Sequence, residues 1–301
     1  MSALMDPNDS AGSSPAADSA AFPAVSNITS LEASNLLEIR ALLSPLFSPS
    51  STLPGSVQAR LHSDDGTLLR FIAARGTVKE SAVMFSETMV WRETVDVPEI
   101  HRSHTNPTDP AIVKAMETWY GLVLTGVDSR SNSGGPVMIE LIGSVDLAGV
   151  AKHDLGPALC DCYIHYLETT WLAVRRGEGG RQKSLVIVDL FGGTFDQLRY
   201  ISIIKHLAAI GSARYPEVVE TIALCRGPWA VSAAWKILSP LLPAATRAKV
   251  KILGPDYLER LRALAPERVI PSSMGGSCFV GDEEGAVDGG ELKRRALKVE
   301  R

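Results

Sequence analysis

The sequence predicts an α/β domain preceded by an all-helical region, and three observations carry that assignment. From Gly121 onward, short apolar runs of strand character alternate with helical patterns. Ahead of that point, two capping boxes open helices whose apolar residues recur at helical spacing. The chain has 301 residues, 45% of them hydrophobic, which is enough to bury a sizeable core.

The elements follow in order. Thr29 and Glu32 form the first capping box, opening a helix with Leu31, Leu37, Leu42 and Leu43 that Ser44 and Pro45 should stop. Asp64 and Asp65 cap a short helix holding Leu68, Leu69, Arg70, Phe71 and Ile72, which Gly76 ends. Thr77 and Glu80 form the second box, and Val78, Ala82, Phe85 and Met89 then face inward on a helix reaching Trp91. Leu122 to Val127 and Val137 to Leu141 read as neighbouring strands around the turn-rich Ser129 to Gly135. Leu185 to Leu190, Thr221 to Cys225 and Val250 to Leu253 are further strands, with helices at Ala158 to Val174 and Phe195 to Ile210 between them. A meander-like first pair and later crossover connections imply a mixed sheet with helices mostly on one face.

Charge and cysteine usage narrow the partners. A net charge of -4 gives no general attraction to nucleic acid or to anionic membrane, so such contact must come from a local patch. Cys160, Cys162, Cys225 and Cys278 are few for this length and read as free thiols of a reduced intracellular compartment. The first 26 residues are rich in Ser, Ala, Pro and Asp and hold no Lys or Arg, which fits a disordered tail rather than a secretory signal or transit peptide. Residues 281–290 are acidic and glycine-rich, and a short basic tail ends the chain. The expected organisation is a disordered tail over 1–26, a helical region over 27–100, an α/β domain over 110–279 and a flexible tail over 280–301.

Motifs for common chemistries fail. Lys183 and Ser184 follow glycines, but no Gly directly precedes Lys183, and the strand comes after the loop rather than before it, so this is not a phosphate loop. Cys160, Cys162 and His165 lack a second metal-ligand pair. No G-x-S-x-G, H-E-x-x-H or G-x-G-x-x-G occurs, so no nucleophile, cofactor or enzyme class is indicated. Between Gly227 and Thr246 the only charge is Lys236, while Trp229, Trp235, Leu238, Leu241 and Leu242 supply large apolar surface. Pro228, Pro240 and Pro243 interrupt the segment before it reaches the roughly 20 residues of a membrane span. It reads either as a core helix or as a lid that meets lipid without spanning it.

Several blocks follow one another along the chain. The helical region contributes Leu68, Leu69, Arg70, Phe71, Ala74, Arg75, Met84, Phe85, Trp91 and Arg92. The following domain contributes Gly135, Pro136, Glu140 and Asp189, then Tyr215, Pro216 and Glu217, then Ile252, Leu253 and Gly254, and last Gly275 and Gly276. In this order the blocks resemble the CRAL-TRIO lipid-transfer family, and most closely its fungal-type phosphatidylinositol transfer proteins. The resemblance implies a non-enzymatic carrier with an apolar pocket between sheet and helices, gated by the segment that carries Trp229, Trp235, Leu238, Leu241 and Leu242. Two acyl chains hold roughly 30 methylenes, and at about 0.8 kcal/mol each their exposure to water costs on the order of 25 kcal/mol. The pocket must therefore replace the bilayer, and the gate should open only at a membrane surface.

The resemblance also assigns an inositol-lipid headgroup site to Arg75, Glu217, Thr246 and Lys249. Lys249 and Arg75 suit a phosphodiester, Thr246 can donate to its oxygen and Glu217 can accept from inositol hydroxyls. Gly76 replaces a basic residue of the family, and Ala245 an acidic one. At the family's phosphatidylcholine site, Leu124 and Met138 stand where tyrosines are expected; Ser184 remains, and Val186 replaces a threonine. Choline binding therefore does not transfer, and the second ligand is expected to be a less polar lipid such as a sterol. The implied role is to move phosphatidylinositol between membranes or present it to a lipid kinase, in the cytoplasm and peripherally on intracellular membranes. A lipid-sensing regulatory module that binds a protein partner is the alternative.

Overall fold

Local capping sets where the N-terminal helices begin. In the computed structural model, which describes residues 22–105, 107–118, 121–124, 130–227, 231, 235–236, 239–241 and 244–278, both capping boxes are formed. Thr29 opens α1 (Ser30–Phe47) and Thr77 opens α4 (Val78–Thr94), each accepting from the backbone N–H three residues on. Between them lie α2 (Ser56–Leu61) and α3 (Asp65–Ala73), the latter capped by Asp64.

The expected stop of α1 at Ser44 and Pro45 fails. The helix runs through Ser44 and Pro45 to Phe47, because a proline in the last turn sacrifices little hydrogen bonding while Leu46 gains burial and the Phe47 ring meets Phe85 at 6.0 Å. Its inward face is Leu36, Ile39, Leu43 and Leu46, whereas Leu31 and Leu37 are 71% and 73% exposed. The spacing of the leucines alone did not select the stripe; Leu36, Ile39, Leu43 and Leu46 follow in steps of three, four and three and so share one helical face.

α5 (Val97–Thr105) and α6 (Pro110–Thr118) lead to the sheet, and neither was anticipated in the sequence. β1 (Gly121–Leu124), β2 (Val137–Glu140), β3 (Ser184–Asp189), β4 (Val219–Cys225) and β5 (Val250–Ile252) form one sheet in sequence order. β1 and β2 pair antiparallel, and the other neighbours pair parallel, so the sheet is mixed as expected. Each parallel step needs a crossover. α7 (Leu147–Lys152) and α8 (Gly156–Arg175) join β2 to β3; α9 (Ile201–Arg214) joins β3 to β4; the six-residue α10 (Ala244–Lys249) ends directly ahead of β5.

Alternation along the strands divides the core. Met138, Val186 and Val188 pack with α8 and with the buried faces of α1, α3 and α4. Val137, Ile139, Leu185, Ile187, Ala223 and Cys225 point the other way, against α11 (Tyr257–Arg262) and the short turns that follow it. The longer helices thus gather on one face. None of the four cysteines is in a disulfide, and burial pushes the Cys162 and Cys225 thiols up to about 12. No helix of the described residues is long and apolar enough to cross a membrane.

Candidate functional site

Three adjacent parallel strands begin at one edge of the sheet, and the residues just ahead of them meet there. Lys183 precedes β3, Glu217 lies two residues before β4, and Lys249 directly precedes β5. The register pairs Ser184 with Val219 and Ile222 with Val250, which converts separations of 34 and 32 residues into contact. Lys183 Nζ donates to Glu217 Oε2, and Lys249 Nζ donates to Glu217 Oε1 at 3.2 Å. Burial pushes the Glu217 carboxyl up, but the Lys183 hydrogen bond and the Lys249 charge outweigh it and hold the group below the ordinary carboxylate value.

The backbone at this edge is clamped from the helical region. Arg70 of α3 is 5% exposed, and its guanidinium donates to three carbonyls: Glu217 O at 2.6 Å, Gln182 O at 2.6 Å and Gly180 O at 3.2 Å. Burial lowers its value to about 10, against the raising effect of Asp64 and Glu217. Glu217 itself sits at φ +56°, a left-handed conformation that costs a non-glycine residue about 1–2 kcal/mol. The Arg70 bond to its carbonyl helps hold that turn. On the other side, a Cβ built on Gly135 would lie 1.7 Å from the Lys183 carbonyl oxygen, so only glycine allows the Ser131–Gly135 turn to pack there.

A second polar network anchors α4 to α8 just behind the site. Arg92 donates to Glu168 through Nη1 at 2.9 Å and Nη2 at 2.6 Å, and through Nε to Gln58 at 3.1 Å. Tyr215 Oη donates to the same carboxylate at 3.1 Å, two residues before Glu217. Burial would push the Glu168 carboxyl up, yet the Arg92 charge lowers it. Arg175 and Asp64 add an ion pair of 2.7 Å between α8 and the cap of α3. At the opposite edge of the sheet, Asp189 closes β3 and accepts from Arg226 through both oxygens.

The residues expected at the headgroup divide into two groups. Glu217 and Lys249 are in contact, and Thr246 lies one turn before Lys249 on α10, both half-buried. Arg75 is exposed, donates to the Ala74 carbonyl at 3.2 Å, and lines a cleft of about 370 Å³ with Lys79, Glu80, Val83, Met84 and Glu87. No described hydrogen bond or ion pair joins Arg75 to Glu217. Of the residues expected to form a gate, Trp235 is half-buried in a helical stretch, and Leu241 ends the turn Ser239–Leu241; Trp229, Leu238 and Leu242 lie outside the described residues. Lys183 was seen in the sequence only as part of a failed phosphate loop. Its signal was available: a residue directly before a parallel strand shares an edge with residues directly before the neighbouring strands.

The CRAL/TRIO domain model matches residues 122–276. The Sec14 cytosolic factor of Schizosaccharomyces pombe is 28% identical over 222 residues, covering 71% of this chain and 75% of that protein. The SEC14 cytosolic factor of Kluyveromyces lactis is 28% identical over 268 residues, covering 87% and 83%. The crystal structure of Sfh5 superposes with a TM-score of 0.65 at 12% identity, covering 91% of this chain and 96% of that one, and shows the shared fold.

Proposed function

The chain belongs to the CRAL/TRIO family of lipid-binding and lipid-transfer proteins, and from that premise we propose that it binds phosphatidylinositol and carries it between membranes or presents it to a lipid kinase. The observation that supports this most is the Glu217–Lys249 pair at the sheet edge, with Thr246 one turn away. A lysine and a hydroxyl on one helix can serve a phosphodiester, while a carboxylate held ionised can accept from a polyol. Thr246 and Lys249 then bind the phosphate, Glu217 reads inositol hydroxyls, and Arg75 closes on the headgroup from the helical region. The acyl chains occupy an apolar pocket behind the segment from Trp229 to Leu242. The protein works as a carrier, so no bond is made or broken in the lipid. Met138 and Val186, buried against the helices, offer no hydroxyl to a choline headgroup, which favours a less polar second ligand such as a sterol over phosphatidylcholine.

Lipids extracted from the purified protein and identified by mass spectrometry should include phosphatidylinositol. Glu217→Ala and Lys249→Ala should each abolish its pickup from vesicles and leave the thermal unfolding temperature within a few degrees. Loss of folding in both variants would make these residues structural and remove the proposal.

A further inference from the structure

The resemblance to the family assigns Glu217 and Lys249 a role but gives none to Lys183, which engages the other oxygen of the same carboxylate. We infer that Lys183 is a specificity-determining residue that, together with Lys249, makes this edge selective for net-anionic phospholipids over zwitterionic ones. The inference rests on the phospholipid-carrier reading above and adds to it the residue that sets the charge preference.

The argument is one of charge and preorganisation. Two ammonium groups share one carboxylate, and the Arg70 guanidinium lies on the adjacent carbonyls, so the edge carries excess positive charge that a phosphodiester with an uncharged headgroup offsets. A zwitterionic headgroup brings its own cation toward these groups and meets repulsion. With Lys183 gone, the solvent-accessible part of that excess falls, and the preference for an anion weakens.

The Lys183 backbone is fixed on both sides: Arg70 holds the Gln182 carbonyl at 2.6 Å, and Ser184 N–H donates to Val218 O at 2.7 Å. Its side chain, 37% exposed, stays accessible to solvent and can turn from carboxylate to phosphate without crossing the core. Lys249 reaches Glu217 from the helix end ahead of β5, on the other side of β4 from Lys183, so an incoming phosphate meets cations from two sides. A fixed base with a swinging charged tip limits the ordering lost on binding.

The test uses the full chain and vesicles that carry either labelled phosphatidylinositol or labelled phosphatidylcholine. Lys183→Met keeps the aliphatic stem and removes the charge. It should lower phosphatidylinositol pickup by about tenfold to a hundredfold, the loss of one charge-assisted hydrogen bond, without lowering phosphatidylcholine pickup. Lys183→Arg should restore most of the difference, and thermal unfolding should not move. Unchanged phosphatidylinositol pickup in Lys183→Met overturns the inference, as does an equal loss of both lipids, which marks a structural role. Where Met disturbs folding, Lys183→Gln is read by the same two ratios. Lys249→Met separates the two levels: if it abolishes phosphatidylinositol pickup while Lys183→Met does not lower it, only this inference fails; if it has no effect, the headgroup assignment beneath it fails.

Discussion

Arg70 links the stability of the fold to the geometry of the site, and replacing it tests that link. Arg70→Met keeps much of the buried stem but removes a guanidinium that donates to Glu217 O, Gln182 O and Gly180 O at 2.6, 2.6 and 3.2 Å. Charge-assisted bonds contribute about 1.5–3 kcal/mol each, the longest less, and the variant regains the cost of burying the charge. A net loss of about 3–5 kcal/mol follows, because three carbonyls lose their donor in a site where water is largely excluded. The loops carrying Lys183 and Glu217 lose their common anchor as well, so lipid pickup should fall at temperatures where the protein is still folded. Urea unfolding followed by tryptophan fluorescence, with lipid transfer measured at low temperature, reads both effects. A loss below about 1 kcal/mol, or normal pickup by a folded Arg70→Met, would refute the clamp.

Arg92→Ala should destabilise by about 3–5 kcal/mol in urea melts, since it leaves the buried Glu168 without its two-pronged guanidinium; Arg92→Met combined with Glu168→Leu should recover most of that loss. Burial raises the Glu140 carboxyl to about 7, so between its unfolded value near 4.3 and that point the folded state binds more protons than the unfolded one, and stability falls as pH rises through the window. Glu140→Gln should accordingly be more stable than the parent by about 1–3 kcal/mol at pH 8 and nearly equal to it at pH 4.5; a gain that does not change with pH would contradict this. Gly135→Ala should cost several kcal/mol and reduce lipid pickup, because its Cβ would lie 1.7 Å from the Lys183 carbonyl oxygen and force the site loop outward. Melting temperature and transfer rate together would show whether both move.

What the sequence determined by itself was local. The caps at Thr29, Asp64 and Thr77 act on backbone groups three residues away, so their chemistry is complete within a few positions and was legible without any tertiary information. The strands were equally plain, because each is a short apolar run between turn residues, and the mixed order followed from the lengths of the connections. Which stripe of α1 faces inward was not local: Ser44 and Pro45 look like a stop, but burial of Leu46 and the Phe47–Phe85 contact carry the helix past them.

The site divides in the same way. Glu217, Thr246 and Lys249 were assigned through the family resemblance, while the contact of Glu217 with both Lys183 and Lys249 is a product of strand register. Arg70 and the Arg92–Glu168 pair are long charged side chains whose partners lie 147 and 76 residues away, and nothing near them in the sequence says that they are buried. Hydrogen-bonded caps and apolar periodicity are short-range and written residue by residue. Placing two ammonium groups on one carboxylate at the mouth of a sheet requires the register of three parallel strands, and only the folded chain supplies it.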